Sequence, residues 1–165
     1  MFKELRMAKY KMEEEHQNEV LSKGEYGIVS TVGADGYCYG VPVNYVFLNN
    51  AIYFHCRLND GHKIDNINYH DKVSFTVVEN AKIIAEKLDT RYDSVIVFGK
   101  ATELKDEDRD EKIEVLKEIV YKYAPDFMKS GDACISNRVD KTNVVKISID
   151  HICGKSSYLE GDTER

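Results

Sequence analysis

Tight turns set between short runs rich in β-branched residues constrain this chain more than any other feature. Tyr26–Val32 runs into Gly33-Ala34-Asp35-Gly36, and Leu48-Asn49-Asn50 separates the run Tyr37–Phe47 from Ala51–His55. Connections this short join antiparallel neighbours, because a parallel pair needs a crossover of a dozen or more residues. Val73–Glu79, Tyr92–Leu104 and Thr142–Ile149 supply three further strands. By the two-residue period, Tyr92, Ser94, Ile96 and Phe98 share one face of the second of these, and Val145, Ile147 and Ile149 form the inner face of the third. Lys82–Leu88 fits no single state. Six strands and few helices predict a mainly β chain, a six-stranded antiparallel β-barrel with flanking helices, not a doubly wound parallel sheet.

Two helices punctuate the strands. Glu13–Lys23 is charged and stops at Gly24, and Asp106–Tyr123 carries Ile113, Leu116, Ile119, Val120 and Tyr123 on one stripe before Pro125 ends it. The acidic run Asp106–Glu114 reads as a solvated helix start favoured by the helix dipole. With 165 residues, no repeat and no linker, one domain over 1–165 with one core is expected, closing in a short C-terminal tail. Pro42 cannot donate to a ladder, so its strand belongs at an edge or faces something other than a strand.

The formal net charge is -6 and the acidic residues are spread along the chain, which leaves no basic face for nucleic acid or anionic lipid. No apolar run reaches the length of a bilayer span, and MFKELRMAKYK lacks the apolar core of a secretory signal, so a cytoplasmic protein is expected. Cys38, Cys56, Cys134 and Cys153 form no CxxC pair and are expected as reduced thiols.

Candidate chemistry concentrates in Ala51–Ile67, AIYFHCRLNDGHKIDNI, where an apolar strand ends in His55 and Gly61-His62-Lys63 opens an amphipathic segment. A helix start with a glycine and a nearby lysine suits a phosphate; the alternative is a solvated loop whose histidine and lysine face water. In the second strand Asn44 lies among apolar neighbours, as expected where backbone meets a flat polar ligand, or else it simply points outward from an edge strand. Cys56, His55, His62 and His70 follow no familiar zinc spacing, so no metal is expected. No GxGxxG or GxxxxGK[ST] loop is present.

The blocks GEYGIVSTVGADGYCYGVPVNYVF, AIYFHCRLNDGHKIDNI, TRYDSVIVFGKA and VVKISIDHICGKSS, spanning most of 24–156, resemble the pyridoxamine 5'-phosphate oxidase-like split barrels. The branch they are most similar to is that of 5-nitroimidazole-resistance and flavin-nucleotide-binding proteins. The resemblance implies a homodimer holding FMN in a cleft between subunits. Val41, Pro42, Val43, Asn44 and Tyr45 would lie along the isoalloxazine, and Phe54 and His55 near the ribityl chain and phosphate. His62 and Lys63 would bind that phosphate, and Ser94 would match a strand position that contacts the flavin.

His62 stands where the oxidases carry arginine, and the arginine-rich substrate segment of those oxidases has no counterpart in DHICGKSSYLEGDTER, which argues against vitamin B6 oxidation. Lys155 either reaches the flavin of the partner subunit or is a surface lysine. His55 is the candidate catalytic residue, with Tyr45 a second possible proton donor; its alternative is an imidazole satisfied by a carbonyl. The implied function is an FMN flavoprotein passing electrons from a reduced donor to a small oxidant such as a nitroaromatic or quinone. Its alternatives are a non-catalytic FMN carrier or sensor, and a barrel binding haem or F420.

Overall fold

The computed structural model describes residues 2–58 and 61–158. Met1, Asn59, Asp60 and residues 159–165, where the short C-terminal tail was expected, lie outside the described residues. Seven strands form one antiparallel sheet: β1 Gly27–Val32, β2 Cys38–Val43, β3 Tyr45–Leu48, β4 Ala51–Arg57, β5 Lys72–Ile84, β6 Asp89–Glu103 and β7 Thr142–Ser156. Their order is β2-β1-β5-β6-β7-β4-β3, and no ladder joins β2 to β3. Among the described residues four α-helices accompany them, α1 Glu14–Lys23, α2 His62–Tyr69, α3 Arg109–Tyr123 and α4 Met128–Arg138.

The count of seven instead of six comes from Asn44, which ends β2 and lets β3 begin at the other edge of the sheet. Leu48 pairs directly with Ala51 across Asn49 and Asn50, both at positive φ (50° and 57°), a two-residue turn whose twist matches its strands. β5 absorbs the ambiguous segment as far as Ile84, with a register shift between Glu79 and Lys82, and a short 3-10 turn Ala85–Lys87 follows. β7 continues to Ser156, seven residues beyond the expected end, paired with β6 across a bulge at Phe98/Gly99.

Two apolar clusters flank the sheet. Inside the curl lie Val29, Tyr45, Ile52, Phe54, Phe75, Val77, Val95, Val97, Val145 and Ile147, all fully buried. Outside it, α3 and α4 lay Val115, Leu116, Ile119 and Ile135 over Val46, Ala51, Tyr53 and Val144. β4 is therefore covered on both faces through Ala51–Phe54, which explains why those residues read as an unbroken apolar run instead of an alternating one.

One expectation is corrected and two others gain detail. Tyr92, Ser94, Ile96 and Phe98 do share one face of β6, and it is the outer one, the buried face being Asp93, Val95, Val97 and Ala101. Asp106–Asp108 is a 3-10 turn, and the α-helix proper begins at Arg109. Gly24 ends α1 as expected, at φ -52°; a Cβ there would lie 2.5 Å from Val77 Cγ1 and 2.7 Å from Tyr45 Oη. α4 had no signal, because MKSGDACISNR buries only Ile135.

Lys122 of α3 has its Nζ buried with no hydrogen-bond acceptor among the described residues, 4.0 Å from the centre of the Tyr45 ring. Burial lowers its pKa to about 8, with Glu79 opposing the shift. Between about pH 8 and its ordinary 10.5, the folded chain has released this proton while the unfolded chain retains it, so stability rises with pH in that window. Urea midpoints measured from pH 7.5 to 10 are expected to climb less steeply in Lys122→Met than in the parent chain. Gly24→Ala is expected to lower stability by about 1–3 kcal/mol in the same assay through overpacking against Val77 and Tyr45.

Candidate functional site

The site begins at the junction of β2 and β3. β2 is an edge strand paired only with β1, so its outward-facing backbone groups are available to a ligand. Along it Val41 and Val43 pack toward the inner cluster, and Pro42, opposite Ile28, faces outward. Asn44 is exposed, and its Nδ2 donates to the Glu25 carbonyl at 3.2 Å.

Tyr45 and Phe54 turn fully inward. The Tyr45 hydroxyl donates to the Leu21 carbonyl at 2.7 Å, its N–H donates to the Tyr123 hydroxyl at 2.9 Å, and that hydroxyl donates back to the Tyr45 carbonyl at 2.9 Å. Burial first, and then Tyr123 and Glu79, push the Tyr45 phenol far above its ordinary pKa. This corrects the reading of Tyr45 as a proton donor, since its hydroxyl is spent on a core carbonyl. Phe54 is completely buried on a strand paired on both sides, with Tyr45 and Val145, and so turns no side chain toward a ligand.

The second wall is the end of β4 with the start of α2. Gly61 sets the helix start at φ +106°, a conformation that L side chains rarely adopt, and no side chain caps the first turn. The Gly61 carbonyl accepts from Ile64 N–H at 2.9 Å and Asp65 N–H at 3.3 Å, so α2 is wound from its first residue. Asn66 fastens the helix to β1 by donating to Thr31 Oγ1 at 3.0 Å. Lys63 is half-buried beside this start, and His62 lays its ring 4.4 Å from that of Tyr39 in β2. The sequence reading missed Tyr39, although it is the residue that joins the two walls.

His55 ends the buried part of β4 and reaches the surface. Desolvation by the protein around it, and then the Lys63 charge, hold its imidazole below the ordinary value. Cys56 feels the same lysine, but burial dominates and raises its thiol. His55, Cys56 and Lys63 thus share one electrostatic environment, in which a neutral imidazole stands near a half-buried cation.

Ser94 lies elsewhere on the molecule. It is on the outer face of β6, directly opposite Val78 of β5 and Lys155 of β7. Lys155 Nζ donates to the Tyr92 hydroxyl and sits 4.7 Å over the Tyr92 ring. Pro42 shares this outer face, with β1 and β5 between it and Ser94. One chain therefore presents two groups: the β2 edge with His62, Lys63 and His55, and an outer face with Pro42, Ser94 and Lys155.

The sequence profile of the pyridoxamine 5'-phosphate oxidase family matches residues 13–156. The chain belongs to that family. Solved structures share its fold at low identity. A Bacteroides thetaiotaomicron protein provisionally assigned to 5-nitroimidazole antibiotic resistance is 20% identical with a TM-score of 0.72, over 88% of this chain and 85% of that one. The flavocytochrome Anf3 from Azotobacter vinelandii is 17% identical with a TM-score of 0.75, over 93% and 73%. An FAD-binding protein from Mesorhizobium loti is 21% identical with a TM-score of 0.64, over 92% and 100%. No curated protein matches the sequence. The fold of this family member is the split barrel implied by its sequence blocks, with the sheet left open and seven strands in place of six. No helix among its described residues is long and apolar enough to cross a membrane.

The site electrostatics can be checked directly. In an NMR titration His55 is expected to protonate below the ordinary imidazole value of about 6.5. Lys63→Ala is expected to raise it part of the way back, because removing a nearby cation favours the charged ring while the desolvation remains. An unchanged His55 titration in that variant would mean that Lys63 does not sense the imidazole.

Proposed function

We propose that this family member is a cytoplasmic FMN-dependent oxidoreductase that works as a homodimer and passes electrons from a reduced donor to a small oxidant such as a nitroaromatic or quinone. The observation that carries this reading is the meeting of an uncapped helix start, the half-buried Lys63 and the free edge of β2, drawn together by the Tyr39–His62 contact. First-turn N–H groups and a lysine charge suit a phosphate, and an unpaired strand edge suits the hydrogen-bonding rim of a flat ring. Solved relatives of this fold include an FAD-binding protein and a flavocytochrome, which supports a flavin as the ligand.

When bound, FMN would supply the electron-accepting and electron-donating chemistry. The chain's own part is positional. Lys63 and the α2 N–H groups would hold the phosphate, while Val41, Pro42, Val43 and Asn44 would lie along the ring through the β2 edge. His55, neutral near pH 7 for the reasons above, would serve better as a hydrogen-bond partner or proton acceptor than as an acid. Ser94 and Lys155 stand across an intervening part of the sheet, on the same outer face as the exposed apolar residues Ile28 and Val78. A second copy covering that face would bring its own outer group against the first copy's cleft. 5-Nitroimidazoles are the acceptor class to try first, given the assignment of the Bacteroides relative.

A non-catalytic FMN carrier is the second reading, favoured by one observation: the Tyr45 hydroxyl is locked to Leu21, which leaves His55 as the remaining candidate for proton transfer. Anaerobic mixing with NADH or NADPH separates the two, because a carrier leaves the flavin oxidised. Lys63→Ala is expected to weaken FMN retention about tenfold or more, and more than Lys155→Ala, read by fluorescence of flavin released on dilution. Equal retention by both variants removes the phosphate assignment. A Soret-dominated spectrum of the purified protein would point to haem.

A further inference from the structure

A cavity of about 790 Å³ opens between the end of β4, where His55 and Cys56 line it, and the α3–α4 pair. Its volume is in the range of small-molecule sites. The deep wall is aliphatic, made of Leu116, Ile119 and Val120 from α3 and Ile135 from α4. The rim carries Arg57, Arg138 and Lys141, and no carboxylate lines it among the described residues. This is an unusual concentration of one sign in a chain of net charge -6.

The three cations are not used up in holding the fold. None forms an ion pair within 4 Å among the described residues. Two backbone carbonyls of residues 138–141 already have donors. Thr142 Oγ1 donates to the Arg138 carbonyl at 3.0 Å, and Leu58 N–H donates to the Lys141 carbonyl at 3.4 Å. Apart from the His55 imidazole at the end of β4, the lining offers no aromatic ring on which a nucleobase or isoalloxazine would stack.

We infer that this cavity is a binding site for an aliphatic carboxylic acid, with the chain against α3 and α4 and the carboxylate at the Arg57, Arg138 and Lys141 rim. Burial of the hydrocarbon supplies the general affinity, and the rim distinguishes acids from neutral analogues. The cavity shares His55 with the proposed flavin cleft, and competition by FMN or FAD in the test below makes the two readings fail separately.

The test is calorimetric titration of the full chain with octanoate and, as the neutral analogue, octanamide. Octanoate is expected to bind about tenfold or more tightly than octanamide. Arg138→Gln with Lys141→Gln is expected to erase most of that preference while leaving octanamide unchanged. Cys134 is exposed and lines the mouth, so Cys134→Trp is expected to block both ligands without lowering the melting temperature. Arg57→Gln, on a different element, checks the rim independently. Equal affinity for acid and amide, undisturbed binding in Cys134→Trp, or displacement of octanoate by stoichiometric FMN or FAD would each overturn the assignment. Displacement would make the cavity part of the cofactor cleft or of a nucleotide site.

Discussion

One residue sets the shape of this molecule. β2 and β3 are the two outer strands of a seven-stranded sheet, yet only Asn44 separates them in the chain. In a flat sheet those edges would stand about 29 Å apart, at roughly 4.8 Å per strand. Consecutive Cα atoms lie 3.8 Å apart, so Val43 and Tyr45 are separated by no more than about 7.6 Å. The sheet has no choice but to curl until its edges meet, and the inner cluster around Phe75, Val95 and Ile147 fills the space that the curl encloses. The edges approach without pairing, which leaves β2 with a free rim beside the start of α2.

Tyr45 secures the crossing. Its hydroxyl reaches α1 at Leu21, and both its backbone groups are held by the hydroxyl of Tyr123 in α3. Lys122, one residue earlier, covers the Tyr45 ring, so a cation without a hydrogen-bond acceptor finds compensation in an aromatic face. α1 and α3 are thus both pinned to one tyrosine, and that tyrosine is unavailable for chemistry for the same reason.

Much of this was legible in the sequence where the determining signal was local. The Asn49-Asn50 turn, the β-branched content of β1 and the glycine before His62 each announce a conformation through the residues that adopt it. The break at Asn44 was not legible, because VPVNYVF is apolar and extended on both sides of it and only the tertiary switch between edges ends the strand. The inward face of β6 was obscured by Asp93, a fully buried carboxylate held by Asn80 and facing His16. α4 lacks an apolar stripe because it buries a single residue, Ile135, in the outer cluster. In the site, Gly61-His62-Lys63 carried its own signal, but the Tyr39–His62 contact joins residues 23 apart in sequence and left no trace in spacing. Tyr45 and Phe54 matched a family motif as positions along a cleft, and the structure turns both side chains into the interior.

The Tyr123 attachment gives α3 a dual allegiance. Its apolar stripe roofs the cavity over β4, and its last residue grips the point where the chain changes edges. A rigid helix transmits a displacement along its whole length, so a molecule that wedges α3 away from β4 pulls on Tyr45 and, through it, on the spacing between the two edges. The openness of the β2 rim is then a mechanical variable of the barrel, read out at one end of a lever whose other arm lies over the cavity.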